Sequence, residues 1–187
     1  SPVLAYNKTI LSLGRLAVGT PDRPADLISA GRIPAQKAEE LTTMNTNKKL
    51  NMTMLCDFYE LTMGNGYFKA GYKDRITHFD LFFRSVPDNG GYAIAAGLEQ
   101  VIEYIQDLHF DPEDIAYLRG RKIFDEDFLD YLANFKFTGD IFAIPEGTPV
   151  FPNEPILTVR APAIQAQLLE TYLLLTINHQ SLIATKA

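Results

Sequence analysis

Between residues 57 and 70 apolar side chains recur at helical spacing, at Phe58, Leu61 or Thr62, Met63, Tyr67 and Ala70. Asp57 leads the stretch and Gly71 follows it, an acid for the positive helix end and a glycine for the stop, so a helix is expected over 57–70. Residues 76–84 change period and are rich in aromatic and β-branched side chains, which predicts a strand with Thr77, Phe79, Leu81 and Phe83 on one face. Its other face carries His78, Asp80, Phe82 and Arg84. A turn at 88–91 then leads to three helical stretches, 96–108, 112–120 and 125–135, the second opened by Asp111 and Pro112 in the order of an N-cap followed by proline. Residues 137–144 and 156–160 read as strands on either side of the loop PEGTPVFPNEP, and Pro162 precedes one long helix from about residue 164 to the end of the chain.

Residues 1–43 do not share this patterning. They mix Pro, Gly and charge with short apolar clusters and are expected to be a weakly structured appendage, with the functional polypeptide opening at Met44. The domain reading is therefore an appendage at 1–43, an α+β domain at 44–163 and a long helix at 164–187. The last helix shows no stop signal before Ala187, which suggests a fragment and an apolar surface left exposed along residues 168–183.

Composition narrows the classes. With 47% hydrophobic and 21% charged residues, a chain of 187 residues has the balance of a globular protein with a real core. The net charge of −6 and the absence of a basic run give no footprint for nucleic acid. Cys56 is the one cysteine, so no internal disulfide or two-cysteine zinc site can form, which suits a reducing, cytoplasmic setting. On that setting the sequons at Asn7 and Asn51 carry no meaning. The most apolar helical stretch, 168–177, is interrupted by Glu170 and falls short of the ~20 apolar residues of a membrane span.

Common site patterns are missing. Gly64, Gly66 and Gly71 miss the dinucleotide-binding spacing, because position 69 is Lys69 and the glycines lie inside a helical pattern. There is no phosphate loop of the Walker type, no HExxH zinc motif and no nucleophile elbow. His78, His109 and His179 lie far apart without metal-ligand spacing. Cys56 has no neighbouring cation to lower its pKa.

A set of segments nevertheless resembles one family. Residues 55–63 (LCDFYELTM) resemble the opening helix of nicotinate phosphoribosyltransferases. Residues 79–84 (FDLFFR) with Pro87 resemble their first strand, and 91–99 (GYAIAAGLE) the next helix entry. Residues 145–152 with 156–159 resemble a strand pair, and 167–171 through 181–186 the helix leading into a barrel. The segments run in family order from about residue 50 to 187; residues 1–43 show no likeness.

The resemblance implies a two-domain enzyme: an α+β domain with a mixed sheet and flanking helices, then an α/β barrel missing from this chain. Such enzymes join nicotinate to phosphoribosyl pyrophosphate in NAD salvage, coupled to ATP hydrolysis through a phosphorylated histidine, with Mg2+ on the pyrophosphate. The histidine and the phosphate-gripping arginines belong to later family segments. A homodimer with shared active sites is implied, with the isolated chain inactive and binding neither Mg2+ nor ATP by itself.

By resemblance, Tyr59 lies against the pyridine ring of a ligand in the neighbouring subunit's site, with Asp57 close by as the catalytic acid. Periodicity alone favours Tyr59 as a core aromatic, a reading the resemblance reverses, and Asp57 fits a helix-end charge as well as a site acid. Arg84 shares a strand face with His78 and Asp80, either a substrate-binding network or an ordinary solvated face. Thr185 and Lys186 fall at the mouth of the family's barrel, where a phosphate contact is conceivable. Two other readings stay open: a nicotinamide phosphoribosyltransferase-like enzyme, and a non-catalytic dimerisation or scaffold fragment.

Overall fold

A computed structural model describes residues 50–86 and 90–187, which lie in one compact unit spanning 49–187. The expected appendage at 1–43, its boundary at Met44 and part of the turn at 88–91 lie outside the described residues. Six helices and five strands follow in the order α1 (Phe58–Lys69), β1 (Ile76–Leu81), β2 (Ala93–Ile94), α2 (Leu98–Asp107), α3 (Pro112–Gly120), α4 (Glu126–Ala133), β3 (Asp140–Ala143), β4 (Pro149–Val150), β5 (Leu157–Pro162), α5 (Ala163–Gln167) and α6 (Glu170–Lys186) among the described residues.

The α+β class is as expected, but the strands divide into two small antiparallel sheets rather than one mixed sheet. The larger has the order β1-β5-β3, with Phe79 opposite Val159 and Ile141 opposite the same Val159 on the third strand. The smaller pairs β2 with β4. Along β1 the burial alternates as the sequence pattern requires, Thr77, Phe79 and Leu81 turning inward and His78 and Asp80 outward. The strand stops at Leu81, three residues earlier than expected, where Phe83 O takes the N–H of Asn153 and the ladder gives way to a bend.

Helix α1 closes as its glycine demands. Gly71 has φ +75°, the N–H of Tyr72 reaches Tyr67 O at 2.9 Å and that of Gly71 reaches Phe68 O at 3.1 Å, a Schellman motif. Its buried face is not the expected one: Glu60, Leu61, Gly64 and Asn65 face inward, while Phe58 and Ala70 are exposed. Gly64 explains the rotation. A Cβ there would stand 3.3 Å from the Phe128 ring and 3.5 Å from Ile164, so the helix approaches α4 and α5 through Gly64, whereas its other glycine, Gly66, faces open space.

Helix α5, buried throughout, packs on β1 and β5 of the larger sheet and on α1, and the rings of Phe68, Phe124, Phe128, Tyr131 and Phe135 form an aromatic cluster. Phe128 is wholly buried, and truncating such a ring costs roughly 3–5 kcal/mol.

The single long helix expected from residue 164 is two helices. The chain turns at Leu168 and Leu169, both fully buried, and α6 starts afresh at Glu170. A new start exposes new orphan amides, and one of them finds its acceptor on α1, as described below. The apolar surface expected along 168–183 is mostly covered: Leu168, Leu169, Leu173 and Ile177 are buried, and Leu175 and Ile183 are exposed.

Candidate functional site

Asp57 is the N-cap residue of α1, with extended backbone (φ −68°, ψ 140°). Its exposed carboxylate makes no cap bond; its peptide does the anchoring instead. The Asp57 N–H donates to Thr171 Oγ1 at 3.1 Å, and its carbonyl takes the Glu60 N–H at 3.0 Å. Tyr59 stands in the first turn, half-buried, with the Glu170 carboxylate at the start of α6 close enough to act on its phenol. Burial first, then the neighbouring Glu170 carboxylate and the charges of Glu60 and Asp57, push the phenol above its ordinary pKa. The ring is accordingly neutral at physiological pH and reachable from solvent on one side, so a flat ligand could stack on it.

Between them, Glu60 turns into the protein and is 0% exposed. Its Oε1 accepts the Thr171 hydroxyl at 2.5 Å and the Thr171 N–H at 3.1 Å, while Oε2 is buried without a partner. Desolvation raises the carboxyl to about 7, against the lowering effect of the Thr171 hydroxyl and with further raising by Glu170 and Asp57. Cys56, directly before the helix, is pushed up to about 12 by burial and then by the charges of Glu60, Asp57 and Asp114. It is therefore an inert thiol. Across from it the Tyr104 ring stacks on Tyr172, centroids 3.7 Å apart and planes within 7°, and the buried Tyr104 hydroxyl also lacks a partner.

The starts of α1 and α6 thus gather one accessible ring, three carboxyl groups and a threonine. A cleft of about 80 Å3 opens beside Tyr104 and Tyr172, lined also by Asn51, Thr53 and Gln100. It is too small for a ligand pocket, for which roughly 300 Å3 is the lower end, so a substrate on Tyr59 would need further walls. Among the described residues no three His, Cys, Asp or Glu side chains lie together as a metal site, and no step through magnesium is assigned to them. No helix of the described residues is long and apolar enough to cross a membrane.

The remaining sequence candidates lie elsewhere. Arg84 is exposed on the bend after β1. Thr185 and Lys186 are at the far end of α6, about 22 Å along the helix from Glu170 at 1.5 Å per residue. The Thr185 hydroxyl is engaged twice, accepting the Ile94 N–H at 2.9 Å and donating to Ser181 O at 2.5 Å. Asp57 and Tyr59 lie at the start of α1, and Thr185 and Lys186 lie at the other end of α6 from the turn that meets it. His78, His109 and His179 are all exposed.

Sequence reasoning missed Glu60, Glu170 and Thr171. Asp57 and Glu60 hold the spacing of a capping box, in which Glu60 would bond back to the Asp57 N–H. In the fold Thr171 takes that N–H, and Glu60 spans to α6. The available signal was an acid flanked by apolar residues on the buried side of α1, legible only once Gly64 had fixed which side that was.

The described residues thus form an α+β unit with an accessible aromatic ring and acids at two meeting helix starts. Residues 54–178, about two thirds of the chain, match the model of the nicotinate phosphoribosyltransferase (NAPRTase) N-terminal domain. The chain is 45% identical over 134 residues to nicotinate phosphoribosyltransferase pncB2 of Mycobacterium tuberculosis, covering 72% of this chain and 29% of that protein. It is 43% identical over 137 residues to the Bacillus subtilis nicotinate phosphoribosyltransferase, 73% and 28% of the two lengths. The crystal structure of human nicotinic acid phosphoribosyltransferase superposes with a TM-score of 0.66 at 34% identity, over 70% of this chain and 27% of that one. The chain belongs to the nicotinate phosphoribosyltransferase family and carries its N-terminal domain. It spans less than a third of the length of these relatives.

Proposed function

We propose that this domain serves a nicotinate phosphoribosyltransferase, contributing the ring of Tyr59 and the carboxylate of Asp57 to a site completed by other parts of the enzyme. The observation that carries the reading is the partly exposed Tyr59 ring in the first turn of α1, at the junction fastened to α6 through Thr171, within the segment that matches the family. In the reaction the pyridine nitrogen of nicotinate forms a bond to the anomeric carbon of phosphoribosyl pyrophosphate as the bond to pyrophosphate breaks. Positive charge develops on the sugar carbon and ends on the pyridinium nitrogen. Asp57 and Glu170 put negative potential beside Tyr59, which favours that charge and orients the nicotinate carboxylate away from them. Stacking adds roughly 0.5–1.5 kcal/mol beyond burial, and holding the nitrogen in line removes part of the entropic barrier. A homodimer with shared sites, a cytoplasmic location, and ATP and Mg2+ bound by other parts of the enzyme belong to the same proposal.

The test is a fusion of this chain, through α6, to the remainder of the Bacillus subtilis relative. The fusion should turn over nicotinate and phosphoribosyl pyrophosphate with ATP and magnesium, whereas the 187-residue chain alone should not. Tyr59→Ala in the fusion should lower kcat/KM about tenfold, the size expected for one lost stacking ring. A folded Tyr59→Ala fusion as active as its parent would contradict the assignment.

A further inference from the structure

Glu60 touches no solvent and contacts none of the atoms that a ligand on Tyr59 would meet, yet it ties together everything around that ring. One oxygen receives both the N–H and the hydroxyl of Thr171, and the same hydroxyl receives the N–H of Asp57. Three bonds therefore join the first turn of α1 to the first turn of α6, and the Glu170 carboxylate of that same turn acts on the Tyr59 phenol. The break between α5 and α6 at Leu168 and Leu169 makes the arrangement possible, because it leaves the Thr171 amide without an intrahelical acceptor.

We propose that Glu60 is the positioning residue of the Tyr59 site, setting the ring and the Asp57 backbone by fastening the start of α1 to the start of α6 through Thr171. The proposal rests on the functional reading above only in what the ring is for; the fastening itself does not depend on it.

The second oxygen gives the device a pH response. Oε2 is buried without a partner, and the groups acting on this cluster are all acids: Asp57 and Cys56 before or at the start of α1, Tyr59 within it, Glu170 and Tyr172 on α6, Tyr104 on α2 and Asp114 on α3. An ionised Glu60 bonds Thr171 more strongly, since a charged acceptor makes the shorter, stronger bond, but leaves a desolvated charge on Oε2. A protonated Glu60 relaxes that charge and weakens the hold on Thr171. The carboxyl lies at about 7, so both forms are populated near neutrality.

The experiment follows 13C-labelled Tyr59 ring signals of the 187-residue chain by NMR from pH 5 to 9. The wild-type ring should shift in one step with a midpoint near 7. The step should vanish in Glu60→Gln, which keeps the acceptor for Thr171 but cannot ionise. Thr171→Val, which removes the hydroxyl and keeps the amide, should move the Tyr59 signal in the folded protein. A Tyr59 signal flat across this range in the wild type, or a step that persists unchanged in Glu60→Gln, overturns the proposal. Nicotinate added to the complete fusion separates the two ideas. A Tyr59 ring that titrates with Glu60 but ignores nicotinate keeps the positioning role and removes the pyridine contact.

Discussion

The two ends of α6 are both polar and both pinned to a neighbouring element, but by opposite means. At the far end Ser181, fully buried, accepts the Ala96 N–H at 3.1 Å and donates to Ala96 O at 3.3 Å, while Thr185 bridges Ile94 N–H and Ser181 O. These hydroxyls are neutral and act as donor and acceptor at once, stitching the helix to β2. At the near end the pin is a carboxyl group with one oxygen saturated and the other orphaned. A neutral, satisfied network stabilises at any pH, whereas a half-satisfied buried acid holds position at a free-energy cost. The far end is built to stay put, and the near end, beside Tyr59, carries the groups whose state can change.

The contrast can be broken at several strengths. The largest effect belongs to Cys56. With its thiol at about 12 rather than the ordinary 9.0, alkylation at pH 8 should run roughly a thousand-fold slower than for an exposed cysteine. Reaction at the ordinary rate in the folded chain would show that the near end is neither buried nor acidic.

Next comes the pH dependence of stability. Glu60 titrates at about 7 in the folded chain and near 4.5 unfolded, so between these values the folded state holds its proton more tightly. Its contribution is therefore full below about pH 4.5, falls as pH rises to 7 and stays lost above, by on the order of 3 kcal/mol. Denaturant melts of the wild type and of Glu60→Gln should differ by that slope. The subtraction cancels the contributions of His109 and Asp125, which are also shifted.

Smaller is Ser181→Ala at the far end. It strands the Ala96 N–H and C=O and should cost about 2 kcal/mol, equally at pH 5 and pH 8. A pH-dependent loss there would erase the distinction between the two ends. Thr185→Val should cost least, about 1 kcal/mol from the Ile94 N–H, again by denaturant melting.

Much of this fold was legible in the pattern of residues. The Asp111-Pro112 start placed α3 to the residue, Gly71 placed the end of α1, and the period-two run from Ile76 placed β1 with its correct inner face. The two-residue strands β2 and β4 were not legible, because a period cannot show in two residues. The break at 168–169 was hidden by Leu168 and Leu169, which continue an apolar helical pattern while the backbone turns under them. Of the site, Asp57 and Tyr59 came from resemblance, and the fold places them at the N-cap and in the first turn of α1. Glu60 was invisible because its partner, Thr171, lies 111 residues away, and local spacing assigns the same side chain to a cap.

The most direct measurement is the pH titration of the Glu60 side-chain carboxyl carbon by 13C NMR in the folded chain. A midpoint near 7 is the result required by a buried, half-paired carboxyl fastening α1 to α6. A midpoint near 4.5 would place that carboxyl in water, and the fastening of the Tyr59 site through it would be wrong.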